Sequence, residues 1–94
     1  SEPHFQKLFK ANTGMSPIAF LRDLRVEKAR ELLESEDFWQ IQEIRIKVGI
    51  WQDSHFTRDF KKKFGVTPIE YRRRYWKKVQ AEERIGKMIE SAKN

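Results

Sequence analysis

The segment Asp53–Lys63 holds the side chains with the most legible chemistry. Asp53, Ser54, Thr57, Arg58 and Lys61 fall on or near one side of a helix, and Phe56, Phe60 and Phe64 recur on the other. A guanidinium, two hydroxyls, a carboxylate and an ammonium on one face are the donors and acceptors that read base edges in a DNA major groove. Arg58 is the best candidate for direct readout, because its planar fork matches the O6/N7 edge of guanine. Asp53 could accept from cytosine N4 or simply stabilise a helix N-terminus, and the second role is the more ordinary one. His55, Lys61, Lys62, Lys63, Arg72 and Arg73 are candidates for phosphate contacts.

The same arrangement occurs earlier in the chain. EPHFQKLFKANTGMSPIAFLR, starting at Glu2, recurs as DSHFTRDFKKKFGVTPIEYRR 51 positions later. His4/His55, Phe5/Phe56, Phe9/Phe60, Lys10/Lys61, Gly14/Gly65, Pro17/Pro68, Ile18/Ile69 and Arg22/Arg73 are identical pairs. A unit used twice is the first thing to read in a sequence. It places Glu2, Pro3, Gln6 and Lys7 on a second reading face, where Gln6 suits adenine and Lys7 suits guanine or phosphate. Lys10 and His4 join the phosphate candidates.

The elements that must position these residues are all helical. No alternating β-branched run and no hairpin dipeptide appears. Ser1 can cap a helix holding Phe5, Leu8 and Phe9, which Gly14 stops. Ser16-Pro17 starts a second helix with Ile18, Phe20, Leu21, Leu24, Ala29, Leu32 and Leu33 at helical spacing to about Ser35. A short helix carries Ile41, Ile44 and Val48 to Gly49, a turn of about four residues follows, and Asp53–Phe64 is next. Short helix, glycine, turn and second helix make a helix–turn–helix pattern, in which the second helix sends its N-terminal residues into the groove. Thr67-Pro68 starts a last helix that could reach Ile89, with Gly86 weakening the extension by about 1 kcal/mol relative to alanine. The expected fold is an all-α, homeodomain-like bundle of two helix–turn–helix motifs joined by a long linking helix, the first motif incomplete. Its parts are 1–35, a first recognition helix and the linking helix; 36–78, a complete second motif and its following helix; and 79–94, a C-terminal helical extension. The linking helix would be ~30 Å long. That is close to the ~34 Å between successive major grooves on one DNA face.

The 94 residues carry a net charge of +6 and no cysteine. Residues 53–78 hold nine Lys/Arg against three Asp/Glu, whereas residues 1–52 balance eight against eight. The surplus therefore sits on the second unit, which favours an anionic polymer as partner. A solvated basic face is the bland alternative. The absence of cysteine excludes disulfides and thiol catalysis, and no apolar run reaches membrane-spanning length. No Ser/His/Asp arrangement, phosphate-cradling glycine loop or paired carboxylates suggest an enzyme, and no cofactor or metal site is called for. His4 and His55 lack companion ligands. Trp39, Trp51 and Trp76 are read as packing residues.

The block IQEIRIKVGIWQDSHFTRDFKKKFGVTPIEYRR, with its counterpart at the start of the chain, resembles the AraC/XylS family of bacterial transcription regulators. The resemblance covers residues 1 to about 76 and rests on an isoleucine-rich helix, Gly, a turn, an aromatic-bearing recognition helix, Phe-Lys-Lys, Gly, Ser/Thr-Pro and Tyr-Arg. It implies sequence-specific binding of double-stranded DNA in a cytoplasmic, nucleoid-associated bacterial regulator, with RNA polymerase as a further partner. The chain departs from the family pattern in three places. Arg45 stands where the family commonly has alanine and must snorkel or displace packing. Ile50 replaces the usual aromatic after Gly49, a change that Trp51 is expected to offset. Ser1 aligns with the start of the first recognition helix, so the helices that should support it, and any upstream effector or receiver domain, are expected to lie outside a C-terminal fragment. Phe5, Leu8 and Phe9 would then present an open apolar face. The extension, through Val79, Ile85, Met88 and Ile89, could cover it within one chain or by exchange in a homo-oligomer. The rival functions are a helical protein-interaction module and a sequence-indifferent nucleic-acid binder.

Overall fold

The computed structural model describes residues 3–93, and the expectations for Ser1 and Glu2 lie outside them. The described residues form five helices: α1 (Pro3–Thr13), α2 (Pro17–Leu33), α3 (Ile41–Lys47), α4 (Asp53–Phe64) and α5 (Pro68–Ala92). Each boundary has a local cause. The Ser16 hydroxyl accepts the Ala19 N–H at 3.2 Å at the start of α2, and the Thr67 hydroxyl accepts the Glu70 N–H at 3.2 Å at the start of α5. Proline follows both caps, where its fixed φ suits the first helical position.

The repeat survives at the level of bond geometry. Gly14 and Gly65 both adopt left-handed backbone, and each donates to a lysine carbonyl, Lys10 or Lys61, at 2.7 Å. Behind each stop the helices meet through an edge-on aromatic pair: Phe9 with Phe20 at 5.4 Å, and Phe60 with Tyr71 at 5.6 Å. The units differ in what covers them. Val26, Ala29 and Leu33 of α2 pack with Ile44, Val48, Phe56 and Phe60 into one buried cluster, which therefore belongs to the second unit. On the first unit α1 buries no residue, and Phe5 and Leu8 remain half exposed at 51% and 50%. Ile18, Leu21 and Leu24, at helical spacing on the same helix, also stay open.

The last helix runs on through Gly86 past Ile89 and continues to Ala92. One expectation is corrected. The extension does not cover α1 within the chain, since Ile85, Met88 and Ile89 are exposed together with Phe5 and Leu8. A 25-residue helix is ~37 Å long. Its second half has left the core behind, which gives the molecule its 66 Å long axis.

Candidate nucleic-acid interface

The pose of α4 is set from beneath. Phe56 and Phe60 are fully buried and meet edge to face at 6.0 Å, with Phe64 against Phe60 at 4.7 Å. At ~100° per residue, Arg58 and Lys62 then lie opposite this aromatic ridge. Ser54, His55, Arg58, Lys61 and Lys62 are exposed, as is Asp53 at the N-terminus, whereas Thr57 is half-buried at the margin of the face. Arg58 is the centre of the surface: its side chain is 59% exposed and its Nε donates to Asp59 Oδ1 at 3.1 Å. That bond engages the guanidinium through its Nε–H.

The turn before α4 is built in two layers. Its backbone closes α3 with a nested pair of bonds: Gly49 N–H to the Ile46 carbonyl at 3.0 Å, and Ile50 N–H to the Arg45 carbonyl at 3.0 Å. Gly49 sits at φ +82, the left-handed position this termination requires. The Arg45 side chain forms the second layer. Its Nη1 donates to the Ile50 carbonyl at 3.0 Å and the Trp51 carbonyl at 2.5 Å, and its Nη2 to Gln42 Oε1 at 3.3 Å. The Arg45 side chain therefore folds over the turn. Ile50 takes the half-buried place against the core, and Trp51, expected to pack, is 77% exposed.

Beside this turn a cleft of about 250 Å³ opens between α2 and α4, lined by Arg22, Arg25, His55 and Arg58, with Asp59 as its acid. The Arg25 guanidinium lies over Gly49, where an added Cβ would stand 3.5 Å from its Nε. This brings three arginines from two helices to one wall of the recognition helix.

Other basic candidates are engaged elsewhere. Lys63 Nζ bonds Asp23 Oδ1 of α2 at 2.7 Å and lies 3.8 Å from Glu27, and the bond to Asp23 holds its ammonium above the usual lysine value. Arg72 is half-buried and donates to the Trp39 carbonyl. Burial lowers its pKa from the ordinary guanidinium value, and its Nε is buried without a partner. Arg73 and Arg74 are exposed but share Glu70, at 2.7 Å and 3.0 Å. On α1, His4, Gln6, Lys7 and Lys10 are all exposed.

A helix-turn-helix domain family matches residues 1–74, and the regulators similar to this chain over that region are of the AraC type. The chain belongs to the AraC/XylS family. Its relatives include the transcriptional regulator MtrA of Neisseria gonorrhoeae, 32% identical over 78% of this chain and 24% of the relative. The transcriptional activator RhaR of Pectobacterium carotovorum is 42% identical over 71% of the chain and 23% of its own length. Histidine kinase P4 of Formosa agariphila is 37% identical over 76% of the chain, a match confined to 5% of that protein. The chain thus spans about a quarter or less of these relatives. No solved structure matches it significantly. Sequence-specific DNA binding is the activity of the AraC-type domain. Among the described residues, no helix is long and apolar enough to cross a membrane.

The sequence motifs left Arg22 and Arg25 out of the site, and they marked Arg45 only as a departure in packing and Trp51 as a packing residue. Arg22 had a signal, its identity with Arg73 across the repeat, but the balanced charge of residues 1–52 hid it. The others depend on how α2 and the turn meet.

Proposed function

We propose that α4 reads base edges in the major groove of double-stranded DNA, as the recognition helix of a bacterial AraC-type transcription regulator. Arg58 donates to guanine, Ser54 and Thr57 contact neighbouring edges, and Asp53 serves chiefly at the helix N-terminus. His55, Lys61, Lys62 and Arg73 neutralise phosphates, joined by His4 and Lys10 on the first unit. Arg72 and Lys63 act instead as internal tethers, because their cationic groups already hold partners on neighbouring elements. Gln6 and Lys7 of α1 form the second reading face, one groove away along α2. The whole regulator would work at the nucleoid in the cytoplasm, with RNA polymerase as partner. The observation that carries the reading is the two-sidedness of α4: Phe56 and Phe60 at 0% exposure on one side, Arg58 and Lys62 open on the other.

The test is selection of duplexes from a random library by this chain at physiological salt. One enriched half-site is expected, since only the second unit is fully supported. Two blocks a helical turn apart would mean that α1 also reads. Arg58→Ala should cost about 1–3 kcal/mol on the selected duplex and relax preference at one base pair. Equal weakening on selected and random duplexes would remove Arg58 from base readout. No enrichment with a steep salt dependence would favour a sequence-indifferent binder. No binding at all would bring forward docking of a protein on the open face at Phe5, Leu8, Leu21 and Leu24.

A further inference from the structure

We infer that Arg45 is a positioning residue for base readout: clamped on the Ile50 and Trp51 carbonyls, it fixes the angle at which α4 presents Ser54, Thr57 and Arg58, and so sets how sharply the domain discriminates between sequences. This rests on the reading of α4 proposed above.

The geometry is specific to this residue. The Arg45 main-chain carbonyl accepts the Ile50 N–H at 3.0 Å, and its side chain donates back to the Ile50 carbonyl at 3.0 Å. One residue of α3 therefore holds Ile50 from both ends. The same Nη1 reaches the Trp51 carbonyl, and Trp51 adjoins Gln52, whose carbonyl accepts the first α4 bond from Phe56 at 3.1 Å. Further along, α4 is anchored by Phe56 and Phe60 in the core. The first turn, with Asp53 and Ser54, lies ahead of those anchors. Its backward attachment runs through the two peptides that Arg45 grips.

Stability alone does not explain the clamp. Trp51 is exposed, so its released carbonyl would find water at little cost. The Arg45 Nε is buried without a partner, which offsets part of what the Nη bonds contribute. The Ile50 carbonyl is part-buried, so its release takes away some stability, and what the clamp adds beyond that is direction. A planar fork with donors at fixed angles restrains orientation in a way that an ammonium on a flexible stem does not.

The experiment compares wild type, Arg45→Ala and Arg45→Lys by library selection, affinity for the selected and a random duplex, and amide exchange of the free protein. Alanine is a good helix former at this position, so Arg45→Ala should still fold, with a modestly lowered melting temperature from the released Ile50 carbonyl. The ratio of selected to random affinity should fall about tenfold, with the random duplex bound as before. Amides of Phe56 and Thr57 should exchange faster while that of Phe60 stays protected. Arg45→Lys should recover only part of the ratio. An unchanged ratio in Arg45→Ala, or equal loss on both duplexes, would overturn the assignment, as would faster exchange throughout the molecule with no excess at Phe56 and Thr57. If wild type selects no sequence, the base-reading proposal fails and takes the discrimination claim with it, while the exchange pattern still decides whether Arg45 holds α4.

Discussion

Adjacent lysines on α4 should behave differently, because helical geometry sends them to different neighbours. Lys62 lies opposite the Phe56–Phe60 ridge and is open to solvent, whereas Lys63 turns towards α2 and meets Asp23 at 2.7 Å. Lys62→Ala should weaken all duplexes alike and reduce the salt dependence of binding by about one counterion. Lys63→Ala should leave that slope unchanged and cost less than about 1 kcal/mol of stability, the usual range for a surface pair. A salt titration of both variants checks this, and a reduced slope for Lys63→Ala would place it on the DNA face after all. Tyr71 is a second residue whose surroundings give a signed expectation. Burial, then the hydrogen bond it donates to Glu34 Oε2 at 2.5 Å, raises its hydroxyl above the ordinary phenol value, and nearby Arg30 opposes this. A raised value in the folded state means that the stabilisation is complete below pH ~10 and is lost as pH climbs through the higher folded value. Wild type should therefore lose stability above pH ~10 more steeply than Tyr71→Phe, as followed by urea unfolding at several alkaline pH values. Parallel curves would mean that the Tyr71 proton is not what links the fold to alkali.

Between elements, the contrast lies in support rather than in intrinsic helicity. α1 and α4 have similar lengths and equivalent glycine stops, but α4 lies against α2, α3 and α5 and α1 chiefly against α2. Local opening depends on buried apolar contact, so α1 amides should exchange orders of magnitude faster than those around Phe56 and Phe60. Equal protection would show that α1 gains cover in solution from something outside the described fold, such as a second chain. Phe60→Ala should remove about 3–5 kcal/mol, a large part of the stability of so small a domain, measurable from the urea midpoint. These elements were readable in the sequence because their punctuation is local: Ser16-Pro17, Thr67-Pro68, Gly49 and Gly65 stand where the helices start and stop. The exposed face of α4 was readable from its period. The partners of Arg45, Arg72 and Lys63 were not, since each is fixed by where a loop or another helix passes: Arg72 meets Trp39, and Lys63 meets Asp23, across 33 and 40 positions of sequence. The exposure of Trp51 was misjudged for a similar reason. Ile50, beside it, takes the place against the core, and only one of two consecutive residues can turn inward there.

On the scale of the whole molecule, charge and mass are distributed differently. The basic surplus lies in residues 53–78, on the globular end, whereas the projecting part of α5 carries a balanced set: Arg84, Lys87 and Lys93 against Glu82, Glu83 and Glu90. Every residue from Gln80 to Lys93 is exposed, so this segment adds nothing to the core cluster. A chain ending at Val79 should keep its melting temperature and its affinity for the selected duplex. The slope of log affinity against log salt should also match that of the full chain, because each phosphate neutralised contributes about 0.9 and the removed segment has no net charge to contribute. A shallower slope in the shortened chain would mean that Arg84, Lys87 or Lys93 reaches DNA while the paired acids turn away. A lower melting temperature that depends on protein concentration only in the full chain would mean that Ile85, Met88 and Ile89 pair between molecules. With neither change, the second unit accounts for both the fold and the electrostatics of binding, and the extended helix is a spacer whose task lies beyond the DNA contact.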